Sequence, residues 1–156
     1  MARRRRTYQR EHREDDRRSP EETALLREHA ERRRAFEDAL EASNTLHGKE
    51  LCPCCGLPTL TSRGDYETCV VCLWEDAGGE GDPRRVAPPN YVSLERARIA
   101  VAAHLRAYEA VHGGLLRGGV DPLVRAIKRF EGRLSRAEAA LDRDDFAANL
   151  AQILSA

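Results

Sequence analysis

Apolar residues recur at three- and four-residue steps in four stretches of the chain, and each stretch predicts a helix. The first follows Ser19-Pro20-Glu21-Glu22, where Ser19 caps, Pro20 suits the first helical position and Glu22 completes a capping box. This helix is predicted to run to about Ala42, before Ser43-Asn44, within a segment 19–44. Its stripe is thin: Leu25, Leu26, Ala30, Phe36, Ala39 and Leu40, with charges all round. Such a helix is expected to dock loosely or to pair with a partner helix, with His29 at the surface. A second helix is predicted over 93–111, with Ser93 as its cap. Leu94, Ala97, Val101, Leu105 and Tyr108 form the best core-facing stripe in the chain, and His104 on its flank is expected to be a hydrogen-bonded core residue. Gly113-Gly114 and Gly118-Gly119 then bracket Leu115-Leu116-Arg117, so 113–120 reads as a flexible linker. Asp121 as cap and Pro122 in the first turn start a third helix with Leu123, Ile127, Phe130 and Leu134 on one face, weakened near its end by Gly132. Ser135 with Glu138 forms another capping pattern. The last helix covers 144–155, with Phe146, Leu150, Ile153 and Leu154 aligned. Residues 121–156 thus form a helical hairpin whose apolar faces meet each other or a second chain.

The middle of the chain, 51–92, has little helical periodicity. Thr59-Leu60-Thr61 and Glu67-Thr68-Cys69-Val70-Val71 have β character around a turn at Arg63-Gly64-Asp65, which predicts a small hairpin carrying the second of two cysteine pairs. The segments 77–83 and 87–90 read as loops. A cysteine-rich module therefore spans about 48–112 together with the helix that packs on it, since the module is too small to form much of a core alone.

Charge changes the picture mainly at one end. Charged residues make up 33% of the 156 positions and aromatic ones 5%, so much of the chain is solvated helix surface around a modest core. The net charge of zero hides an asymmetry, because residues 1–20 hold eight arginines against four acids. Residues 1–18 have almost no apolar content and read as a disordered basic tail. Arg3-Arg4-Arg5-Arg6 could follow a phosphate backbone; the competing reading is a solvated tail diluted by Glu11, Glu14, Asp15 and Asp16. No apolar stretch follows this basic start, and none is long enough to span a bilayer. A cytoplasmic chain is expected, where thiols stay reduced and clustered cysteines serve metals rather than disulfides.

All five cysteines fall between positions 52 and 72. Cys52 with Cys55 and Cys69 with Cys72 have the form C-x-x-C, and thirteen residues separate the pairs, the spacing of a four-cysteine zinc site. Two intervening residues let a tight turn place both sulfurs on one edge of a tetrahedron. Pro53 presets the turn, and Gly56 allows a left-handed residue just after it. Cys52, Cys55, Cys69 and Cys72 are the expected ligands of a structural Zn²⁺. Cys54, in the middle of the first turn, points away; it remains the alternative to one of its neighbours, with His47 a remote substitute. Iron in a four-thiolate site and a thiol–disulfide role compete with zinc. The redox reading is disfavoured because Gly56-Leu57-Pro58 cannot open a helix after the first pair. Four thiolates leave no open position for catalysis. Trp74 reads as a cover for the metal or as packing under the second helix. Glu75-Asp76 as a paired-carboxylate site lacks a nucleophile or open metal position beside it.

Cys52-Pro53-Cys54-Cys55-Gly56, Arg63-Gly64-Asp65-Tyr66-Glu67-x-Cys69-x-Val71-Cys72-x-Trp74-Glu75-Asp76, Asn90, and Ser93-Leu94-x-x-Ala97-Arg98 together resemble the bacterial cysteine-rich CPCC domain over about residues 50–110. The chain departs from that pattern at Arg84-Arg85-Val86-Ala87-Pro88-Pro89, where a glycine- and asparagine-rich stretch is expected. The resemblance implies a small zinc-ribbon-like domain with no assigned activity. The fold class expected is therefore α+β: a small zinc-ribbon-like β module packed on a helix, flanked by N- and C-terminal helical segments. No nucleophile–base pair, phosphate loop or open metal site argues for an enzyme. The first functional expectation is a protein- or nucleic-acid-binding module with a structural zinc, an arginine-rich N-terminus and possible self-association through helices. The alternative is a thiol sensor in which oxidation of Cys54 with a ligand cysteine ejects zinc.

Overall fold

The structure is a computed structural model that describes residues 12–15, 17–135 and 146–154. In chain order the elements are β1 (His12–Arg13), α1 (Pro20–Ala42), β2 (Glu50–Leu51), β3 (Pro58–Leu60), β4 (Arg85–Val86), α2 (Leu94–His112), α3 (Val120–Ser135) and α4 (Phe146–Leu154). The fold is α+β, with helices around two small sheets and a cysteine cluster in the strand region.

Local chemistry sets the helix starts. The Ser19 hydroxyl accepts from Glu22 N–H at 3.1 Å while the Glu22 carboxylate accepts from Ser19 N–H at 3.2 Å, the reciprocal box read from the sequence. Ser93 caps α2 through Arg96 N–H at 3.1 Å. Gly113 closes that helix with φ +84°, a left-handed conformation that costs glycine little. α3 begins at Val120, ahead of the expected cap at Asp121. Asp121 therefore sits inside the first turn, where its carboxylate accepts from the Ser43 hydroxyl at 2.7 Å and meets His47 Nε2 at 2.6 Å. This ties the end of α1 to the start of α3.

α1 does more than dock loosely. Leu25, His29 and Phe36 are its buried residues, so the inward stripe runs through His29, while Ala30 faces solvent. The thin apolar face is supplemented by ion pairs to α2: Arg106 to Glu28 at 2.7 Å and also to Glu21, Arg96 to Glu22, and Arg32 to Glu109 at 2.7 Å. On α2, Leu94, Val101, Ala102 and Leu105 are buried, whereas His104 is exposed and not a core residue.

The sheets differ from the expected hairpin. β3 pairs antiparallel with β2, Glu50 opposite Leu60 and Leu51 opposite Pro58 across an irregularity. The hairpin thus encloses the first cysteine pair. The second pair sits in a turn of the same length closed by a single bridge, Thr68 to Glu75. Strands this short have no resolvable two-residue period, so β-rich composition at 67–71 misled the assignment. β1 pairs antiparallel with β4, His12 opposite Val86 and Arg13 opposite Arg85. The tail is therefore ordered where it was expected to be disordered, over His12–Arg13. Glu14 N–H donates to Arg84 O at 2.9 Å, the Ser93 hydroxyl donates to Glu14 at 3.0 Å, and Arg18 pairs with Glu95. The arginine run at 3–6 lies outside the described residues.

One buried cluster runs through the molecule. It joins Phe36, the cysteine module's Leu51, Leu57, Leu60 and Val71, Leu94, Val101 and Leu105 of α2, and Leu123, Val124, Ile127, Phe130, Leu150 and Ile153 of the last two helices. The glycine-rich stretch 113–120 is a hydrogen-bonded turn, Arg117 N–H to Gly114 O at 3.0 Å and Gly119 N–H to Leu116 O at 2.8 Å, with Leu115 and Leu116 packed on the core. α3 and α4 accordingly face the module as well as each other. The Ser135–Glu138 pattern and the side chains of Phe146 and Leu154 lie outside the described residues. No helix among the described residues is long and apolar enough to cross a membrane.

Candidate metal centre

Two turns of the same construction face each other. In the first, Cys52 N–H donates to Leu57 O and Gly56 N–H to Cys52 O, both at 2.9 Å. In the second, Cys69 N–H donates to Trp74 O and Leu73 N–H to Cys69 O, again at 2.9 Å. The residue four past the leading cysteine is left-handed in both, Gly56 at φ +77° and Leu73 at φ +63°. Glycine meets that demand without strain, whereas Leu73 carries a steric cost of about 1–2 kcal/mol that the rest of the turn must offset.

The turns bring Cys52, Cys55, Cys69 and Cys72 together, with all four sulfurs within 4.8 Å of one another. Cys52 Sγ lies 3.6 Å from Cys72 Sγ, and Cys55 Sγ lies 3.8 Å from Cys69 Sγ. A tetrahedral ion with metal–sulfur bonds of about 2.3 Å requires edges of about 3.8 Å. A disulfide requires about 2.05 Å, and all five cysteines are free thiols. The four cysteines are thus positioned to bind a metal ion. Cys52, Cys55 and Cys69 are buried and Cys72 is half-buried. Cys54 is buried too but stands outside the group of four. His47 is engaged by Asp121 and plays no part in the cluster.

The electrostatics of the four thiols suit a bound cation. Burial pushes the thiols of Cys52, Cys55 and Cys72 well above their ordinary value. Burial acts on Cys69 in the same direction, but hydrogen bonds from Cys52, Cys55 and Cys72 outweigh it and hold Cys69 well below. Burial and mutual repulsion oppose four thiolates in contact, and a metal ion among them makes full ionisation favourable.

Several residues outside the cysteine pairs support this centre. Thr59 is buried, with its Oγ1 at 2.9 Å from Cys69 Sγ. His29 of α1 lies with Nε2 at 2.8 Å from Cys54 O. It is buried, which corrects its expected surface position, and burial followed by the charge of Arg98 lowers its pKa to about 4. The imidazole is therefore neutral at pH 7, and its Nε2–H donates to the carbonyl. The spacing Leu25, His29, Phe36 was the available signal, had His29 been counted on the apolar face. Arg98 of α2 donates Nε–H to Pro53 O at 2.8 Å.

The Trp74-Glu75-Asp76 step is structural. Trp74 packs on the core. Asn90 clamps the backbone of Glu75, accepting its N–H at 2.9 Å and donating to its O at 2.8 Å. Asp76 is buried and accepts from Arg63 at 2.7 Å, Gly64 N–H at 2.9 Å and Gly78 N–H at 3.1 Å. Burial alone would raise its carboxyl, but Arg63 and the two amides hold it below the ordinary value. These three donors hold it as an anion. Glu80 in turn gathers Arg33 and Arg63, each at 3.0 Å, and Arg98 at 3.6 Å.

Fold and site together define a small α+β module built round a four-cysteine cluster able to hold a metal. Residues 50–112 match the family described as Cysteine-rich CPCC. The match begins at β2 and ends with α2, leaving β1, α1, α3 and α4 outside. No curated protein and no solved structure matches the chain.

Proposed function

We propose that the chain is a zinc-binding, non-enzymatic module in which Cys52, Cys55, Cys69 and Cys72 ligate a structural Zn²⁺. The carrying observation is the set of four clustered sulfurs with contacts of 3.6 and 3.8 Å, the edges of a tetrathiolate tetrahedron. Zinc fits because four thiolates suit it and a site filled by protein ligands leaves no position for water or substrate. The metal would fix the two turns relative to one another and supply no chemistry beyond that. Free, closely spaced thiols fit a reducing, cytoplasmic setting. A hydrogen bond with Cys72 lowers the Cys54 thiol, but burial together with the charges of Cys52 and Cys69 outweighs it and raises the thiol, which argues against a redox sensor, since the thiolate is the reactive form.

Elemental analysis of the purified chain tests the assignment. One zinc per chain is expected, retained by Cys54→Ser and lost from serine variants at the other four cysteines. Iron in the protein, or zinc retained by any of those four variants, refutes it.

The module's role is to present a rigid surface to a protein or nucleic-acid partner, with the arginine-rich N-terminus adding salt-sensitive attraction to phosphates. The strand at His12–Arg13 dictates how this is tested: truncation must stop at residue 11 so that the β1–β4 pairing survives. Nucleic-acid binding that weakens with salt, and is lost on removing residues 1–11, supports this role. Equal binding by the truncated chain refutes the part given to the arginines.

A further inference from the structure

The first turn of the metal centre is held from outside by two helices. Pro53 and Cys54 are the residues between Cys52 and Cys55, and each carbonyl takes a side chain at 2.8 Å: Arg98 of α2 on Pro53 O, His29 of α1 on Cys54 O. A trans peptide sets its C=O and N–H on opposite sides. With these carbonyls turned toward the helices, the N–H groups of Cys54 and Cys55 turn the other way. Arg98 also brings a positive charge to a centre that would carry two negative charges, those of four thiolates around a dication. We infer that His29 and Arg98 are positioning residues of the metal centre, each clamping one carbonyl inside the Cys52–Cys55 turn. The inference rests on the zinc reading above. It also assigns a metal-site role to α1, which lies outside the matched segment 50–112.

The alternative is that both side chains merely glue helices to the module. Zinc release to a chelator and the absorption bands of the cobalt-loaded full-length chain separate the two. His29→Leu and Arg98→Met keep apolar volume but lose the donors. Each is expected to release metal about 10–100-fold faster and to shift the cobalt bands, as loss of groups that orient ligands does. His29→Gln and Arg98→Lys, which restore a donor, should recover most of the wild-type rate. Leu105→Ala, at a buried α2 residue whose side chain has no hydrogen-bonding group, should lower thermal stability without moving the cobalt bands. Wild-type release rates in the Leu and Met variants would overturn the clamp. So would failure of Gln and Lys to rescue, or band shifts in Leu105→Ala equal to those of the clamp variants. A wild-type chain that contains no zinc and takes up no cobalt would instead sink the zinc reading, and the clamp with it.

Discussion

A single hydroxyl and a single imidazole show how much the centre depends on groups that are not ligands. Thr59 is buried with its oxygen 2.9 Å from Cys69 Sγ, and beside an ionised sulfur the hydroxyl is the donor. Thr59→Val keeps the shape and removes that donor. Metal affinity should fall about 10–100-fold with the fold retained, read by competition against a chelator of known affinity. Unchanged affinity would show the hydroxyl to be mere packing. His29 makes a pH prediction. Its pKa is about 4 in the fold against 6.5 when unperturbed, so between those values the unfolded chain binds more protons than the folded one. The stability that neutral His29 contributes is complete above about pH 6.5 and is lost as pH falls toward 4, by at most about 3 kcal/mol. The measurement is chemical denaturation of wild type and His29→Gln across this window. The variant should lack that part of the acid slope, and parallel curves would mean that His29 titrates normally in the fold.

At the scale of elements, what the sequence reveals depends on how local the cause is. α1 and α2 were legible at their starts because Ser19, Pro20, Glu22 and Ser93 act on the residues next to them. The cysteine cluster was legible because the spacing of its thiols reflects turn geometry. The hairpin was not, because Glu50–Leu51 and Pro58–Leu60 are too short to show a period and their pairing is chosen by the turn between them. β1 was hidden for a different reason: its partner, Arg85–Val86, lies far along the chain, and the surrounding charge looked like a solvated tail. Those charges instead find partners, Glu14 with Ser93 and Arg96, and Arg18 with Glu95. Deleting residues 1–18 should therefore cost roughly 1–3 kcal/mol more stability than deleting 1–11, the scale of losing charged hydrogen bonds that are partly shielded from water. Equal stability of the two truncations would make β1 an ornament on the sheet.

For the whole molecule, the decisive feature is that the metal centre and the C-terminal helices share one core. Leu57 and Leu60 flank the first turn and belong to the same buried cluster as Phe36 of α1, Leu105 of α2, Phe130 of α3 and Leu150 of α4. The turn at 113–120 is packed rather than loose, so it does not insulate the last two helices from the module. Structural zinc contributes about 10–16 kcal/mol in small zinc-folded peptides, which matches or exceeds the roughly 5–15 kcal/mol that holds a typical domain. Removing the metal should therefore collapse the stability of the entire chain rather than of the strands alone. With chelator present, Trp74 fluorescence and the helical circular dichroism should be lost in one coincident transition at a much lower temperature than in the loaded protein. A chain truncated after Gly119 should bind metal weakly, because the buried cluster that holds Leu57, Leu60 and Leu105 would lose Phe130 and Leu150. A helical signal that outlasts the Trp74 transition after metal removal would show that α3 and α4 fold on their own, and that the shared core carries little of the coupling assigned to it.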